Sequence, residues 1–92
     1  MITALVFIRT EVNSVNSVAE TVAAIDGVSE VFSVTGDLDL VALVRVQSLE
    51  QVSQVVTGGI SKTAGITSTE THVAFQTYSR QDLDAAFSIG LD

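Results

Sequence analysis

Apolar side chains recur along the chain with two different periods, and these periods predict six secondary-structure elements. Four blocks rich in β-branched residues have the length of β-strands, and two blocks repeat apolar residues every three or four positions, as amphipathic helices do. The strands are predicted at residues 2–9, 28–35, 39–46 and 66–78, and the helices at residues 15–25 and 49–62. The order βαββαβ is that of a ferredoxin-like α+β domain, in which two helices cover one face of a four-stranded antiparallel sheet.

Each helical block carries one apolar stripe that is expected to pack on the sheet. The first stripe is Val15, Val18, Ala19, Val22 and Ile25, and the second is Leu49, Val52, Val55, Val56 and Ile60. Asp26-Gly27 ends the first helix, because Gly readily adopts the positive φ that a helix terminus needs. Ser48-x-x-Gln51 is a capping box that begins the second helix, which is predicted to continue weakly to about Lys62.

The first strand is apolar on both faces, although helices can cover only one of them. Five apolar residues are predicted on the uncovered face: Leu5, Phe7, Val31, Val41 and Leu43. Four strands about 4.8 Å apart and about 20 Å long give this face an area on the order of 400 Å². An apolar patch of this size marks an interface. We therefore expect a homodimer in which two sheets form an αβ-barrel-like sandwich.

Composition and charge exclude several classes of function. The 92 residues suffice for one domain. The net charge is −7, and the four basic residues are scattered, so direct nucleic-acid binding is not expected. No Cys is present, which excludes disulfides and thiolate metal sites and is typical of the reducing cytoplasm. No apolar run approaches the roughly 20 residues of a membrane span, so no membrane partner is expected.

Two segments carry a resemblance to a known family. Residues 31–46 contain Val-x-Gly-Asp-x-Asp between two apolar strands, and residues 65–73 combine Gly-Ile with a Thr-x-Thr strand. In this order they resemble the effector domain of the Lrp/AsnC transcription regulators. The resemblance covers about residues 3–78, so we assign residues 1–78 to the ligand-binding domain. Residues 79–92 are a C-terminal extension that could form a short helix with Leu83, Phe87 and Leu91 as its apolar edge.

The resemblance also implies partners. Family regulators carry an N-terminal helix-turn-helix domain, whereas this chain begins at the first effector-domain strand. We therefore expect a stand-alone module that modulates transcription by co-assembly with full-length Lrp/AsnC regulators. Family members form dimers that join into rings, and they bind small effectors, typically amino acids, where dimers meet. A homodimer, a ring of dimers and an amino-acid effector follow as expectations.

The family's effector lies near the Gly-Asp-x-Asp turn, which implies a candidate site. Its residues are Gly36, Asp37, Leu38, Asp39, Thr69, Thr71 and His72. Either carboxylate of the turn can accept hydrogen bonds from an ammonium group, and the backbone N–H groups around the glycine can bind a carboxylate. The threonine hydroxyls would add polar contacts.

Each of these residues also has an ordinary structural explanation. Gly36-Asp37 is the turn that any hairpin could use. His72 would be a partly buried strand residue, which is common for His. The threonines at 67, 69 and 71 fit plain β-propensity on a solvent-facing strand.

Catalysis finds little support in the sequence. The chain has one His and no Cys, and it shows no Ser-His-Asp or metal-ligand spacing, so we expect neither an enzyme nor a cofactor. A dimeric ferredoxin-like enzyme, such as a cofactor-free monooxygenase-like protein, is the alternative, because fold does not fix function. An ACT-like regulatory module is disfavoured, because it would need a Gly-rich turn after the first strand, where residues 10–13 contain no Gly.

Overall fold

The computed structural model describes residues 1–80, and its elements follow the predicted order. The strands are β1 (Ile2–Thr10), β2 (Val28–Ser33), β3 (Leu40–Val46) and β4 (Ile66–Val73), and the helices are α1 (Val15–Ala23) and α2 (Leu49–Gly58). A 3₁₀ turn, Ile60–Lys62, follows α2. The strands form one sheet in the order β2-β3-β1-β4, and all three neighbouring pairs are antiparallel. The ferredoxin-like fold predicted from the sequence is confirmed.

Alternate residues of the two central strands form the base of the core. These buried residues are Ala4, Val6 and Ile8 of β1 and Leu40, Ala42, Val44 and Val46 of β3. Val18 and Val22 of α1 pack over them, together with Val52 and Val55 of α2. The predicted stripes therefore account for the core, with one exception. Leu49 is 61% exposed, because it begins α2 one turn before the helix reaches the sheet.

An irregularity in β2 changes which of its residues face the helices. Val28 pairs with Val44, but the next pair is Glu30 with Leu43, so one additional residue lies on β2 between them. After this β-bulge, Val31 lies opposite Ala42 on the helix-covered face. The prediction that Val31 faces away from the helices is wrong, because it assumed uninterrupted alternation along the strand, which a bulge shifts by one residue.

The sheet face opposite the helices is called the open face. Phe32 pairs with Val41 on this face, where it takes the place predicted for Val31. The apolar centre of the open face consists of Leu5, Phe7, Phe32, Val41 and Leu43. Phe32 is 46% exposed and the other four are partly exposed. Among the described residues no other element packs on this surface, so it is available to a partner.

The ends of α2 follow from specific contacts. The Ser48 hydroxyl accepts a hydrogen bond from the backbone N–H of Gln51 at 3.2 Å, and the Gln51 amide oxygen accepts one from the backbone N–H of Gln47 at 2.7 Å. The first bond confirms the Ser48 half of the predicted capping box, whereas the Gln51 side chain bonds to the N–H of Gln47, one residue before the N-cap. The helix ends at Gly58, before the predicted end at Lys62, and a Cβ on Gly59 would lie 3.1 Å from the side chain of Ile25. Gly59 therefore permits close packing between the ends of the two helices.

The last strand ends earlier than predicted. The backbone N–H of Ala74 donates to the carbonyl of Thr3 at 2.8 Å, and Phe75 and Tyr78 beyond it are exposed. Strand pairing therefore ends near Val73 instead of residue 78. The short helix predicted around Leu83, Phe87 and Leu91 lies outside the described residues.

Candidate functional site

The turn between β2 and β3 is held against the end of β1 by Asp39. Its carboxylate Oδ2 accepts a hydrogen bond from the backbone N–H of Thr10 at 2.8 Å, and its own N–H donates to the carbonyl of Ile8 at 3.1 Å. Gly36 has a φ of +100° and open space where a Cβ would lie, so the turn requires a glycine for its backbone conformation alone. Asp37 is exposed. Asp39 thus positions the turn, while the carboxylate of Asp37 lies in solvent.

A cavity of about 380 Å³ lies between this turn and β4. It is lined by Phe7, Arg9, Leu38, Ser68, Thr69 and Glu70. Phe7 lies opposite Glu70 and Arg9 lies opposite Ser68 in the ladder between β1 and β4, which places an acid and a base on adjacent strands. We call this the turn cavity. Leu38 and Thr69 were predicted as site residues, and the structure brings them together here.

The other predicted site residues do not line the turn cavity. Thr71 pairs with Val6 on the helix side of the sheet, whereas His72 pairs with Leu5 on the open face. The Asp39 carboxylate accepts a hydrogen bond from the Thr10 backbone, and Gly36 and Asp37 at the tip of the turn do not line the cavity. The predicted site residues therefore do not form one site. Leu38 and Thr69 line the cavity, Asp39 stabilises the turn, and Thr71 and His72 lie on opposite faces of β4.

Opposite charges and an aromatic ring define the chemistry of the turn cavity. Arg9 is exposed and has no acidic group within ion-pair distance among residues 1–80, whereas the Glu70 carboxylate lies 2.6 Å from the Nε2 atom of His72. The rings of Phe7 and His72 meet edge to face with their centroids 5.1 Å apart. A cation, an anion and an apolar surface within one small cavity are complementary to a zwitterion with an apolar side chain.

Four of the cavity residues were not predicted: Phe7, Arg9, Ser68 and Glu70. Two of them did carry a signal, because Arg9 is the one charged residue of β1 and Glu70 is the one acid of β4. Their proximity depends on pairing between the first and last strands, which the ferredoxin-like order implies. It also depends on the register of that pairing, which places Phe7 opposite Glu70 and Arg9 opposite Ser68 and which no local pattern of the sequence indicates.

A larger cavity of about 510 Å³ lies near the other end of the sheet, between the end of α1 and the outer side of α2. Gly27, Arg45, Gln51 and Gly58 are among the residues that line it. It contains no aromatic residue and none of the residues implied by the Gly-Asp-x-Asp turn. The turn cavity is therefore the better candidate site, although it is smaller.

Metal ligation and membrane insertion find no support in the described part of the chain. Residues 1–80 contain no group of three or more His, Asp or Glu side chains placed to hold a metal ion. None of the helices in this part has the length and apolar character needed to cross a bilayer.

Comparison with known proteins shows that the chain is similar to one domain of larger regulators. The family model described as the Lrp/AsnC ligand binding domain matches residues 3–83. An uncharacterized HTH-type transcriptional regulator of Pyrococcus abyssi is 34% identical over 82 residues, which is 86% of this chain and 55% of that protein. The chain thus spans about half the length of the curated relatives it matches.

Solved structures show the same similarity. TTHA0845 from Thermus thermophilus superposes with a TM-score of 0.82 at 49% identity, and the match covers 87% of this chain and 100% of that chain. The transcriptional regulator NMB0573 of Neisseria meningitidis, crystallised as an L-Met complex, superposes with a TM-score of 0.76. That match covers 86% of this chain and 53% of the regulator, and at 14% identity it shows a shared fold alone.

Proposed function

The chain belongs to the Lrp/AsnC ligand-binding domain family, and from this premise we propose that it binds an amino-acid effector in the turn cavity and assembles through its open face. The observation that carries the proposal is the placement of Arg9 and Glu70 beside Phe7 and Leu38 in one cavity. The L-Met complex of the Neisseria meningitidis regulator, which shares the fold, supports an amino acid as the ligand class.

Each wall of the turn cavity has a role in this proposal. The Arg9 guanidinium binds the effector carboxylate through two N–H donors, and the Glu70 carboxylate accepts from the ammonium group. Phe7 and Leu38 contact an apolar effector side chain, and the Ser68 hydroxyl adds a polar contact. A volume of about 380 Å³ is near the lower end of the range for small-molecule sites, which suits a single amino acid.

The tip of the turn has a separate role. Gly36 and Asp37 are exposed and lie outside the cavity. We assign them to an outer wall that a neighbouring dimer supplies when dimers join into a ring, so that Asp37 approaches an ammonium group from another chain. His72 acts indirectly in this scheme, because it holds the Glu70 carboxylate at 2.6 Å, and Thr71, on the other side of the sheet, is assigned no contact with the effector.

The regulatory role is proposed to operate through other proteins. The net charge of −7 disfavours phosphate contacts by these 92 residues, whereas the curated relatives are HTH-type transcriptional regulators. We therefore place the function in the cytoplasm, in mixed assemblies with full-length family members that contact DNA. Co-purification of the tagged chain with such a regulator would support this role, and recovery of the chain alone would contradict it.

Binding of the effector is tested with chemically blocked ligands. The amino acid that most stabilises the protein should lose affinity when its amine is acetylated or its carboxylate is converted to an amide. Arg9→Gln should weaken binding of the free amino acid by about 10- to 100-fold, because hydrogen bonds to charged groups contribute about 1.5–3 kcal/mol. Glu70→Gln should have a similar effect, measured by isothermal titration calorimetry.

Matched variants away from the cavity serve as controls. Lys62→Gln and Glu20→Gln remove the same charges from exposed positions and should leave the affinity unchanged. If Asp37→Asn abolishes binding while Arg9→Gln and Glu70→Gln do not, the effector binds at the turn tip and the assignment to the cavity is wrong.

A further inference from the structure

The larger cavity has a glycine in its wall that neither backbone conformation nor packing requires. Gly58 is the last residue of α2, its φ is not positive, and a Cβ built on it would meet no atom within 4 Å. By contrast, a Cβ on Gly27 would lie 2.6 Å from the side chain of Val55, and a Cβ on Gly59 would lie 3.1 Å from Ile25. Glycine is unfavourable in a helix compared with alanine. The structural effect of Gly58 is that it leaves a cavity of about 510 Å³ open.

The lining of this cavity combines aliphatic and polar side chains. The aliphatic residues are Ile25, Val46 and Val55, and the polar ones include Asp26, Gln47, Gln51 and Gln54. None of the described residues in the lining is aromatic, so the cavity offers no surface on which a nucleobase could stack. Its volume lies within the range of small-molecule sites. Aliphatic surface beside carboxylate and amide oxygens is complementary to an alkyl chain that carries hydrogen-bond donors.

Backbone donors beside the cavity already have partners, whereas its carboxylate has none. The N–H of Gln47 donates to the side-chain oxygen of Gln51 at 2.7 Å, and the N–H of Arg45 donates to the carbonyl of Gly27 at 2.9 Å. Within residues 1–80 the Asp26 carboxylate has no hydrogen-bond or ion-pair partner. Because an ionised carboxylate can only accept hydrogen bonds, it favours a ligand that donates them.

The ends of both helices lie beside this carboxylate. Asp26 follows the end of α1, and the contact between Gly59 and Ile25 brings the end of α2 to the same place. The last carbonyl groups of a helix carry a partial negative charge, and neither helix has a basic residue in its last turn. The carboxylate and the two helix ends therefore make this side of the cavity favourable for a cation.

Arg45 is the one basic residue among the described residues of the lining, and its side chain is directed elsewhere. Val44 and Val46 on either side of it are buried beneath the helices, so alternation along β3 places the Arg45 side chain on the open face. Its contribution to the cavity is the strand backbone. The guanidinium group therefore does not occupy the place of a bound cation.

We propose that the larger cavity binds a small aliphatic diamine. One ammonium group donates to the Asp26 carboxylate beside the helix ends, and the methylene chain contacts Val46 and Val55. The second ammonium group donates to the side-chain oxygen of Gln54. The cavity shares no lining residue with the turn cavity. The inference thus goes beyond the proposed amino-acid site and does not depend on it.

Equilibrium dialysis of the full chain with radiolabelled putrescine, a linear diamine, tests the site. We expect saturable binding that weakens as the salt concentration rises, because an exposed charge pair is screened by salt. Butanediol of the same length, which is uncharged, should not compete. Asp26→Asn should weaken binding by about 2- to 5-fold, the effect of removing an exposed charge pair. Glu20→Gln is the matched control, because it removes an exposed acid that does not line the cavity.

Gly58→Leu separates occupation of the cavity from stability of the fold. Leu has a higher helix propensity than Gly and its Cβ meets no atom, so the free energy of unfolding should be maintained or raised. The leucine side chain extends into the cavity and should weaken putrescine binding by at least 10-fold. Thr57→Leu adds the same side chain at an exposed position outside the lining and should leave binding unchanged.

Three results would overturn the proposal. The first is no saturable binding of putrescine to the wild type, and the second is competition by butanediol as strong as that by unlabelled putrescine. The third is normal binding to Asp26→Asn and Gly58→Leu together with loss of binding in Glu70→Gln, which would place the diamine in the turn cavity. Amino-acid binding measured on Gly58→Leu should match the wild type, so that failure of one site is distinguished from failure of the other.

Discussion

Leu5 of β1 lies directly opposite Leu43 of β3 on the face of the sheet that neither helix covers. Both leucines are partly exposed in the single chain. They mark the middle of the open face, so any partner that packs on this face contacts both of them. Because both side chains point away from the helices, substitutions at these positions change the open face and leave the core on the other side of the sheet intact.

A charge at the centre of the open face should prevent assembly. Leu43→Lys places an ammonium group where the partner sheet would exclude water, and an unpaired buried charge is strongly unfavourable. We expect a folded monomer or an unfolded chain in light scattering with circular dichroism. Val12→Lys is the control, because Val12 is 88% exposed and lies off the sheet. A native-like dimer formed by Leu43→Lys would show that the partner packs elsewhere.

The bulge in β2 predicts different effects for two adjacent residues. Val31 packs against the core under the helices, so Val31→Ala should lower the free energy of unfolding of the chain by about 1–2 kcal/mol. Phe32 lies on the open face, so Phe32→Ala should mainly weaken the proposed dimerisation. Urea unfolding at several protein concentrations separates the two effects. The reverse outcome would mean that β2 alternates without the bulge.

The cap of α2 offers a prediction that is independent of assembly. Ser48→Ala removes the acceptor for the Gln51 N–H and should destabilise the protein by about 0.5–2 kcal/mol. Ser53→Ala, at an exposed position within the same helix, should be neutral or slightly stabilising, because Ala has the higher helix propensity. Equal effects of the two substitutions in thermal unfolding would argue against the capping box.

The two aspartates of the turn should behave differently. Asp39→Ala removes the acceptor for the Thr10 N–H and should lower stability by about 1–3 kcal/mol, because a partly buried donor loses its partner. Asp37→Ala changes an exposed carboxylate and should leave the unfolding temperature unchanged. A strong loss of stability in Asp37→Ala would indicate contacts that the single chain does not contain.

Much of the fold could be predicted from the sequence, because the apolar periods of β1, β3 and both helices agree with their burial. Failures arose where tertiary structure overrides local pattern. Val31 was assigned to the wrong face because the extra residue of the bulge leaves no periodic signal, and Leu49 was assigned to the core because the apolar stripe does not show where α2 meets the sheet.

The candidate site was less predictable than the fold. Leu38 and Thr69 were predicted because they flank recognisable motifs, and both line the turn cavity. Arg9 and Glu70 were not predicted, because they are separated by most of the chain and meet only through the pairing of β1 with β4. Asp39 was expected to bind a ligand, and the structure shows its carboxylate engaged with the Thr10 backbone.

A thermal-shift screen of the purified wild-type protein against the free amino acids tests the central claim most directly. A ligand at 100 times its Kd should stabilise the folded protein by about 2.7 kcal/mol, which raises the unfolding temperature by about 10–20 °C for a domain of this size. We expect one amino acid or a small group with apolar side chains to produce this shift, and Arg9→Gln to reduce the stabilisation to about 0.4–1.4 kcal/mol at the same ligand concentration. If no amino acid shifts the wild type, or if Arg9→Gln responds like the wild type, the turn cavity is not an amino-acid site.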